Sequence, residues 1–213
     1  GMDIPVWGHA APDALVECEL AGHRARVRAS AEGRFFLRLP PLPPGGPHEM
    51  ILRDVERGIQ MVIHNLMIGE VWLASGQSNM ALSLSDISKE PYPENPRVRF
   101  FRVEERVEPM PSETVYGQWR EARAPHSGYC SAVAFHFASK LAKELGITVG
   151  ILQAARGASR IEAWIPREDL LETEFGTKLV RLCEASLYAP ETWEHYRVGS
   201  DPENVLPDRL EEL

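Results

Sequence analysis

In the segment Gly69-Glu70-Val71-Trp72-Leu73-Ala74-Ser75-Gly76-Gln77-Ser78-Asn79-Met80, four consecutive apolar residues give way at once to small and polar ones. An apolar run without alternation predicts a strand buried on both faces of a parallel sheet. The polar residues after it then form a turn at the strand's carboxyl end, where open α/β sheets bind ligands. Residues 98–103 and 147–155 predict two further strands. Between them lies a helix with Ser131 as N-cap. Its Val133, Phe137, Leu141 and Leu145 recur at i+4, Ala134 and Ala138 lie beside them, Lys140 and Glu144 form an i, i+4 pair, and Gly146 closes it. Strand, connection, strand, helix, strand is the order of a doubly wound α/β domain.

Upstream the period changes to two. Val16, Cys18 and Leu20 alternate with Glu17 and Glu19; after Ala21-Gly22, Ala25 and Val27 alternate with Arg24, Arg26 and Arg28. A two-residue hairpin turn places Glu19 opposite Arg24 and Glu17 opposite Arg26 on a wet face, with Cys18 on Ala25 and Val16 on Val27 beneath. Residues 34–39, 49–53 and 59–65 supply three more strands, and the Pro/Gly-rich stretch 40–47 reads as a loop. The expected organisation is a small antiparallel β-sandwich at 2–66, then an α/β domain at 67–213. In that domain Pro166 opens a helix that Leu170, Leu171, Leu179, Val180 and Leu182 line on one face.

Composition narrows the partners. The 213 residues carry 23 Lys+Arg against 31 Asp+Glu, a formal net charge of −8. No dense basic run offers a phosphate-backbone footprint, so no nucleic-acid partner is expected. No apolar stretch approaches the roughly 20 residues of a membrane span. The first residues lack a basic and an apolar segment, which predicts no signal peptide and a cytoplasmic setting. Cys18, Cys130 and Cys183 are far apart and lie in no Cys-x-x-Cys pattern, so neither a structural zinc site nor a disulfide framework is expected, and no other feature implies a metal or organic cofactor.

Two turns carry candidate chemistry. Ser78, at a strand end, can serve as a nucleophile whose own N–H helps hold an oxyanion, with a helix start adding positive potential; alternatively, Ser78 or Asn79 caps a helix. After the third strand, Arg156-Gly157-Ala158-Ser159-Arg160 places a glycine where a backbone N–H can approach a bound oxygen, or it is an ordinary turn. Gln77, Asn79, Ser159 and Trp164 flank these turns as candidate substrate contacts. Trp164 suits a sugar-pocket wall or a packed indole, and Glu162 a structural bond or a catalytic acid.

The segment 69–80 resembles the first block of the sialate O-acetylesterase family of SGNH-type hydrolases, which is related to some acetylxylan esterases. Gly117-Gln118-Trp119 and Ser131-Ala132-Val133-Ala134-Phe135 resemble the lead into that family's middle helix. Gly150-Ile151-Leu152-Gln153 with Gly157-Ala158-Ser159-Arg160-Ile161-Glu162-Ala163-Trp164 resembles its second block. The likeness covers roughly residues 5–166. It implies an SGNH/flavodoxin-like parallel-sheet fold and a serine esterase acting on acetylated carbohydrates. Ser78 would be the nucleophile, the N–H groups of Ser78 and Gly157 would be oxyanion donors, and a histidine the base.

There are departures. Ala158 stands where the family pattern has a second glycine, and Arg156 where it has an aromatic residue. The Gly-Glu-Ser-Asn block and the Asp-x-x-His-like segment have no counterpart; His126, His136 and His195 all lack the context of a base. The expectation is therefore half an active site on an incomplete sheet. Missing strands would pair beside the third strand, and a companion polypeptide or a homo-oligomer would cover the open edge. The alternative is a non-catalytic carbohydrate-binding or interaction module derived from such an esterase.

Overall fold

The computed structural model describes residues 1–106, 112 and 114–187. The chain divides into two compact units. One is Gly1–Val71 with Ala138–Gly150; the other is Trp72–Phe137 with the stretch that begins at Ile151.

The first unit contains a β-sandwich. Strands β1 (Ile4–His9) and β4 (Arg34–Leu39) pair antiparallel. Strands β2 (Leu15–Leu20), β3 (His23–Arg28), β5 (Gly45–Asp54) and β6 (Ile59–Ile68) form a sheet in the order β3-β2-β5-β6. Alternation decides which side chains turn inward: Phe35, Leu37 and Leu39 of β4 meet Val16, Cys18, Leu20 and Met50 in one core. The β2–β3 register is the expected one, with Glu19 on Arg24, Glu17 on Arg26, Cys18 on Ala25 and Val16 on Val27. Ala21 (φ 49°) and Gly22 (φ 83°) both take the left-handed backbone that a two-residue turn of this hand demands. Two expectations are corrected. The 40–47 loop is shorter than predicted, because β5 begins at Gly45. Glu17 is also not on a wet face: it is buried, since β5 adds Arg53 on the other side of β2.

That placement has a pH consequence. Glu17 accepts from Arg26 Nε at 2.7 Å and Arg53 Nη1 at 3.1 Å, and Arg53 also reaches Glu19 at 2.8 Å. The Arg26 hydrogen bond above all, then the charge of Arg26, the Arg53 hydrogen bond and the charge of Arg24, hold the Glu17 carboxyl below its ordinary 4.5 against the opposing effect of burial. A depressed folded-state value means that the pair's stabilisation is complete above pH 4.5 and is lost as pH falls through the lower folded value. Glu17→Gln should therefore lower the melting temperature at neutral pH, and the gap from wild type should close on acidification. A gap that does not change with pH in thermal melts would contradict this.

The other sheet has the order β7-β10-β8-β9, built from β7 (Glu70–Gly76), β8 (Asn95–Arg102), β9 (Trp119–Ala122) and β10 (Val149–Ala155). Glu70 N–H donates to Thr148 O at 3.2 Å and Arg156 N–H to Gly76 O at 3.0 Å, so β7 and β10 run parallel. Val103 N–H donates to Gln153 O at 2.9 Å, bringing the carboxyl ends of β8 and β10 together. Strand β9, which the sequence did not announce, pairs antiparallel with β8 and makes the sheet mixed.

Single-turn helices α1 (Ser78–Ala81) and α2 (Leu84–Ile87) follow β7, and α3 (Ala132–Leu145) precedes β10. The Ser131 cap is as expected: its Oγ accepts from Ala134 N–H at 3.3 Å, and its N–H donates to buried Gln153 Oε1 at 2.8 Å. Gly146 closes α3 at φ 69°. Pro166 precedes α4 (Arg167–Leu171), and α5 (Glu174–Leu187) follows, so the expected single helix is two.

Three further expectations fail on burial and order. Strand β10, not β7, is the buried one: Val149, Gly150 and Ile151 are buried, whereas Val71, Trp72 and Leu73 are 59%, 45% and 67% exposed. Among the described residues β7 has a hydrogen-bonded neighbour on one side only. The third strand is thus flanked on both sides, and the open apolar edge lies on β7. On α3 the buried stripe is Ala134, Phe135, Ala138 and Ala142; the predicted Val133, Phe137 and Leu145 are exposed. Small alanines let that face approach its neighbours closely, while Phe137 meets the Trp72 ring edge-on at 5.2 Å.

Candidate functional site

Strand β7 ends at Gly76, whose φ of 138° is open to glycine and strained for other residues. Gln77 then leaves the strand and acts as the N-cap of α1. Its Oε1 accepts from Ser78 N–H at 2.8 Å and also from Ser78 Oγ–H. The turn closes through Met80 N–H and Ala81 N–H to Gln77 O, at 2.9 and 3.0 Å, and Leu82 N–H to Ser78 O at 2.9 Å. The capping role considered for Ser78 or Asn79 therefore belongs to Gln77. A single turn also has too few aligned peptides to deliver the potential of a full helix.

Gly157 stands opposite. The Arg156–Gly76 hydrogen bond holds its turn against the end of β7. A Cβ built on Gly157 would lie 3.8 Å from Ser78 Cα and 3.9 Å from its Cβ, so the two residues predicted to share an oxyanion do face each other. Ser159 Oγ–H donates to Arg156 O at 2.8 Å and accepts from Trp164 Nε1–H at 2.9 Å. These bonds tie the indole to the same turn, with 40% of Trp164 exposed. Asn79 is exposed beside Ser78, and Glu162 is half-buried in the short 3₁₀ turn Ile161–Trp164. The Arg156 guanidinium pairs with Glu105. Nothing in the spacing suggested either that pair or the Gln77 lock; an amide in a cap position was the one available signal for the latter.

The arrangement brings together a serine hydroxyl and a glycine turn, the groups expected from the sequence. It does not supply a base, because the Gln77 amide oxygen cannot take up the serine proton. His126 Nδ1 instead meets Arg120 Nη1 at 2.8 Å, and the exposed His136 ring sits edge-on to Phe135 at 5.4 Å. His195 lies outside the described residues. Cys130 is no substitute nucleophile: burial pushes its thiol up to about 12. Among the described residues no three His, Cys, Asp or Glu side chains are grouped to hold a metal ion, and no helix is long and apolar enough to cross a membrane.

Ala158 has φ 57°, left-handed backbone that costs a residue with a Cβ. Ala158→Gly removes that cost and adds freedom to the unfolded chain, so the net gain should be roughly 0.5 kcal/mol. Thermal or urea melts that show a loss of stability would contradict this reading of the turn.

Comparison with known proteins follows the same geometry. A model of the carbohydrate esterase, sialic acid-specific acetylesterase family matches residues 68–189, more than half of the chain. The sialate O-acetylesterase of Mus musculus is 28% identical over 78% of this chain and 34% of its own length. That of Homo sapiens is 26% identical over 75% of this chain and 34% of its own. The crystal structure of a carbohydrate acetylesterase from Xanthomonas citri superposes with a TM-score of 0.73 and 30% identity, over 82% of this chain and 41% of that one. The chain thus spans about a third of the length of the curated relatives it matches. The family model, which covers more than half of the chain, places it in the family of sialic acid-specific carbohydrate acetylesterases.

Proposed function

We propose that the chain carries the nucleophile half of an esterase that removes O-acetyl groups from carbohydrates. The observation that carries this is the approach of Gly157 to Ser78 across the joined ends of β7 and β10. In this reading Ser78 Oγ attacks the acetyl carbonyl carbon while a base removes its proton. The carbonyl π electrons move onto oxygen, where the N–H groups of Ser78 and Gly157 receive them. Collapse of the intermediate expels the sugar oxygen, which takes the proton back from the base. Water, deprotonated in the same way, then releases acetate from Ser78. Both steps require Gln77 Oε1 to leave Ser78. Ser159 and Trp164, with Gln77 and Asn79, border the space where the sugar would lie. Residues 67–213 act as the esterase domain and 2–66 as an accessory β-sandwich.

In this reading the base and the remaining oxyanion donor come from residues outside this chain, on a companion polypeptide, and that polypeptide or a second copy covers the open sheet edge. Support comes from the β7 edge, where Val71, Trp72 and Leu73 are exposed beside Phe137 on α3. A parallel edge with no hydrogen-bonded neighbour among the described residues, and with this much apolar surface, is a template for a further strand.

A second reading, a non-catalytic carbohydrate-binding module, is favoured by the Gln77 lock on Ser78. A fluorophosphonate ester separates the two. The chain is treated alone and after co-expression with a candidate companion polypeptide, and adducts are located by mass spectrometry. The expected result is an adduct on Ser78 in the assembly and none with Ser78→Ala, together with p-nitrophenyl acetate hydrolysis that Ser78→Ala abolishes. Sugar binding without any adduct in the assembly would establish the module instead.

A further inference from the structure

The two outer strands of the larger sandwich sheet, β3 and β6, are built differently. Strand β3 carries Arg24, Arg26 and Arg28 along its length, the kind of charged edge that resists pairing with a neighbour. Strand β6 holds no Lys, Arg, Asp, Glu or Pro in its ten residues. Among the described residues it is hydrogen-bonded to β5 alone, so its other edge offers backbone donors and acceptors to an added strand. Its apolar side chains are bare as well. Ile59, Met61 and Ile63 lie opposite Asp54, Leu52 and Met50 of β5, on the face that the β1–β4 pair covers. Two strands do not cover four. The core takes in Met50 and, in part, Leu52 and Leu66, but none of these three. Ile59, Met61 and Ile63 are thus 64%, 59% and 37% exposed although they share the inward face. The outward face is already satisfied: Gln60 Oε1 accepts from Arg53 Nε at 3.0 Å, and Arg53 holds Glu17 and Glu19.

We propose that the β6 edge is a dimerisation surface, occupied by the β6 edge of a second copy of this chain and paired antiparallel about a twofold axis at Met61. The strand itself selects that partner and that register. Its regular part runs from Ile59 to Ile63, because Gly58 (φ 68°) turns the chain at one end and a bulge with Asn65 (φ 58°) shifts the register at the other. The inward face of that segment reads Ile, Met, Ile in both directions. A twofold at Met61 sets Ile59 against Ile63 of the second copy and Met61 against Met61, and it uses all five regular residues. An axis at Gln60 would draw the Gly58 turn into the ladder, and one at Val62 would bring Asn65 opposite Ile59. Charge agrees with the chosen register. Antiparallel order lays the Arg57 turn of each copy toward the Glu49–His64 pair of the other, so a cation meets a carboxylate at both ends. His64 falls opposite Gly58, which has no side chain to obstruct it. The two sheets join into one, and six inward side chains cover one another's flanks. The inference concerns the sandwich alone and does not depend on the esterase reading.

The test is the mass of the purified chain by sedimentation velocity and light scattering from about 1 µM to about 1 mM, because an edge contact below the standard interface size dissociates in that range. The exposed β7 edge is the other route to self-association, so each measurement is made with and without Leu73→Lys. In the Leu73→Lys chain the mass should rise with concentration from one chain to two and stop there. Met61→Lys should weaken the dimer at least about tenfold, because it sets two cations face to face on the axis. Ile59→Lys, at the most exposed of the three positions, should do the same and replaces Met61→Lys should that variant misfold. Mixing Met61→Lys with Met61→Glu should restore a dimer of one chain of each, which neither forms alone; a twofold through residue 61 requires it. A chain that stays monomeric throughout, growth past the dimer in the Leu73→Lys chain, a dimer that folded Met61→Lys and Ile59→Lys retain, a dimer lost with Leu73→Lys alone, or no rescue in the mixture would overturn the proposal.

Discussion

The parallel pairing of β7 with β10 is the constraint on which the site rests. Two backbone hydrogen bonds mark its ends, Glu70 N–H to Thr148 O and Arg156 N–H to Gly76 O. Each such bond contributes only about 1 kcal/mol net, so the ladder matters for position more than for energy. It levels the carboxyl ends of the two strands, and the residues just beyond them, Ser78 and Gly157, come face to face although they are distant in sequence. The start of the ladder depends on a missing atom: a Cβ on Gly69 would lie 2.1 Å from Thr148 O. A side chain there would push the strands apart at their origin and carry the displacement along to the serine.

Local rules made much of this legible. The β2–β3 register followed from alternating charges and a two-residue turn, because a slip by one residue would exchange the faces of both strands. The Ser131 cap and Gly146 stop of α3 followed from the few residue types able to satisfy helix ends. What could not be read was the choice among neighbours. Both 71–74 and 149–152 are apolar runs suited to a parallel sheet, and nothing in either says which lies at an edge. Helical period likewise shows that apolar residues recur on α3, but both the Val133/Phe137 and the Ala134/Ala138 stripes recur at four. The alanine stripe is the covered one. Glu17 failed for a related reason: a hairpin considered alone has two strands, and the third, β5, brought the arginine that buries it.

At the site the residue types were legible and their partners were not. A serine after one apolar strand and a glycine after its neighbour point to one region of the fold by the geometry of open sheets. The Arg156–Glu105 pair joins residues 51 positions apart with no motif between them.

The Gln77 lock sets a chemical condition on any activity. An amide oxygen accepts the Ser78 hydroxyl proton in a hydrogen bond but is far too weak a base to remove it, so Ser78 held by Gln77 is an alcohol and not an incipient alkoxide. The same oxygen occupies Ser78 N–H, the donor that an oxyanion would need. One side chain therefore occupies both the hydroxyl and the N–H that the proposed esterase reading needs. A base that enters to take the proton must displace Gln77 Oε1, and that displacement frees the N–H at the same moment. Proton acceptor and oxyanion donor are thus coupled through a single rotamer, so that completing one completes the other.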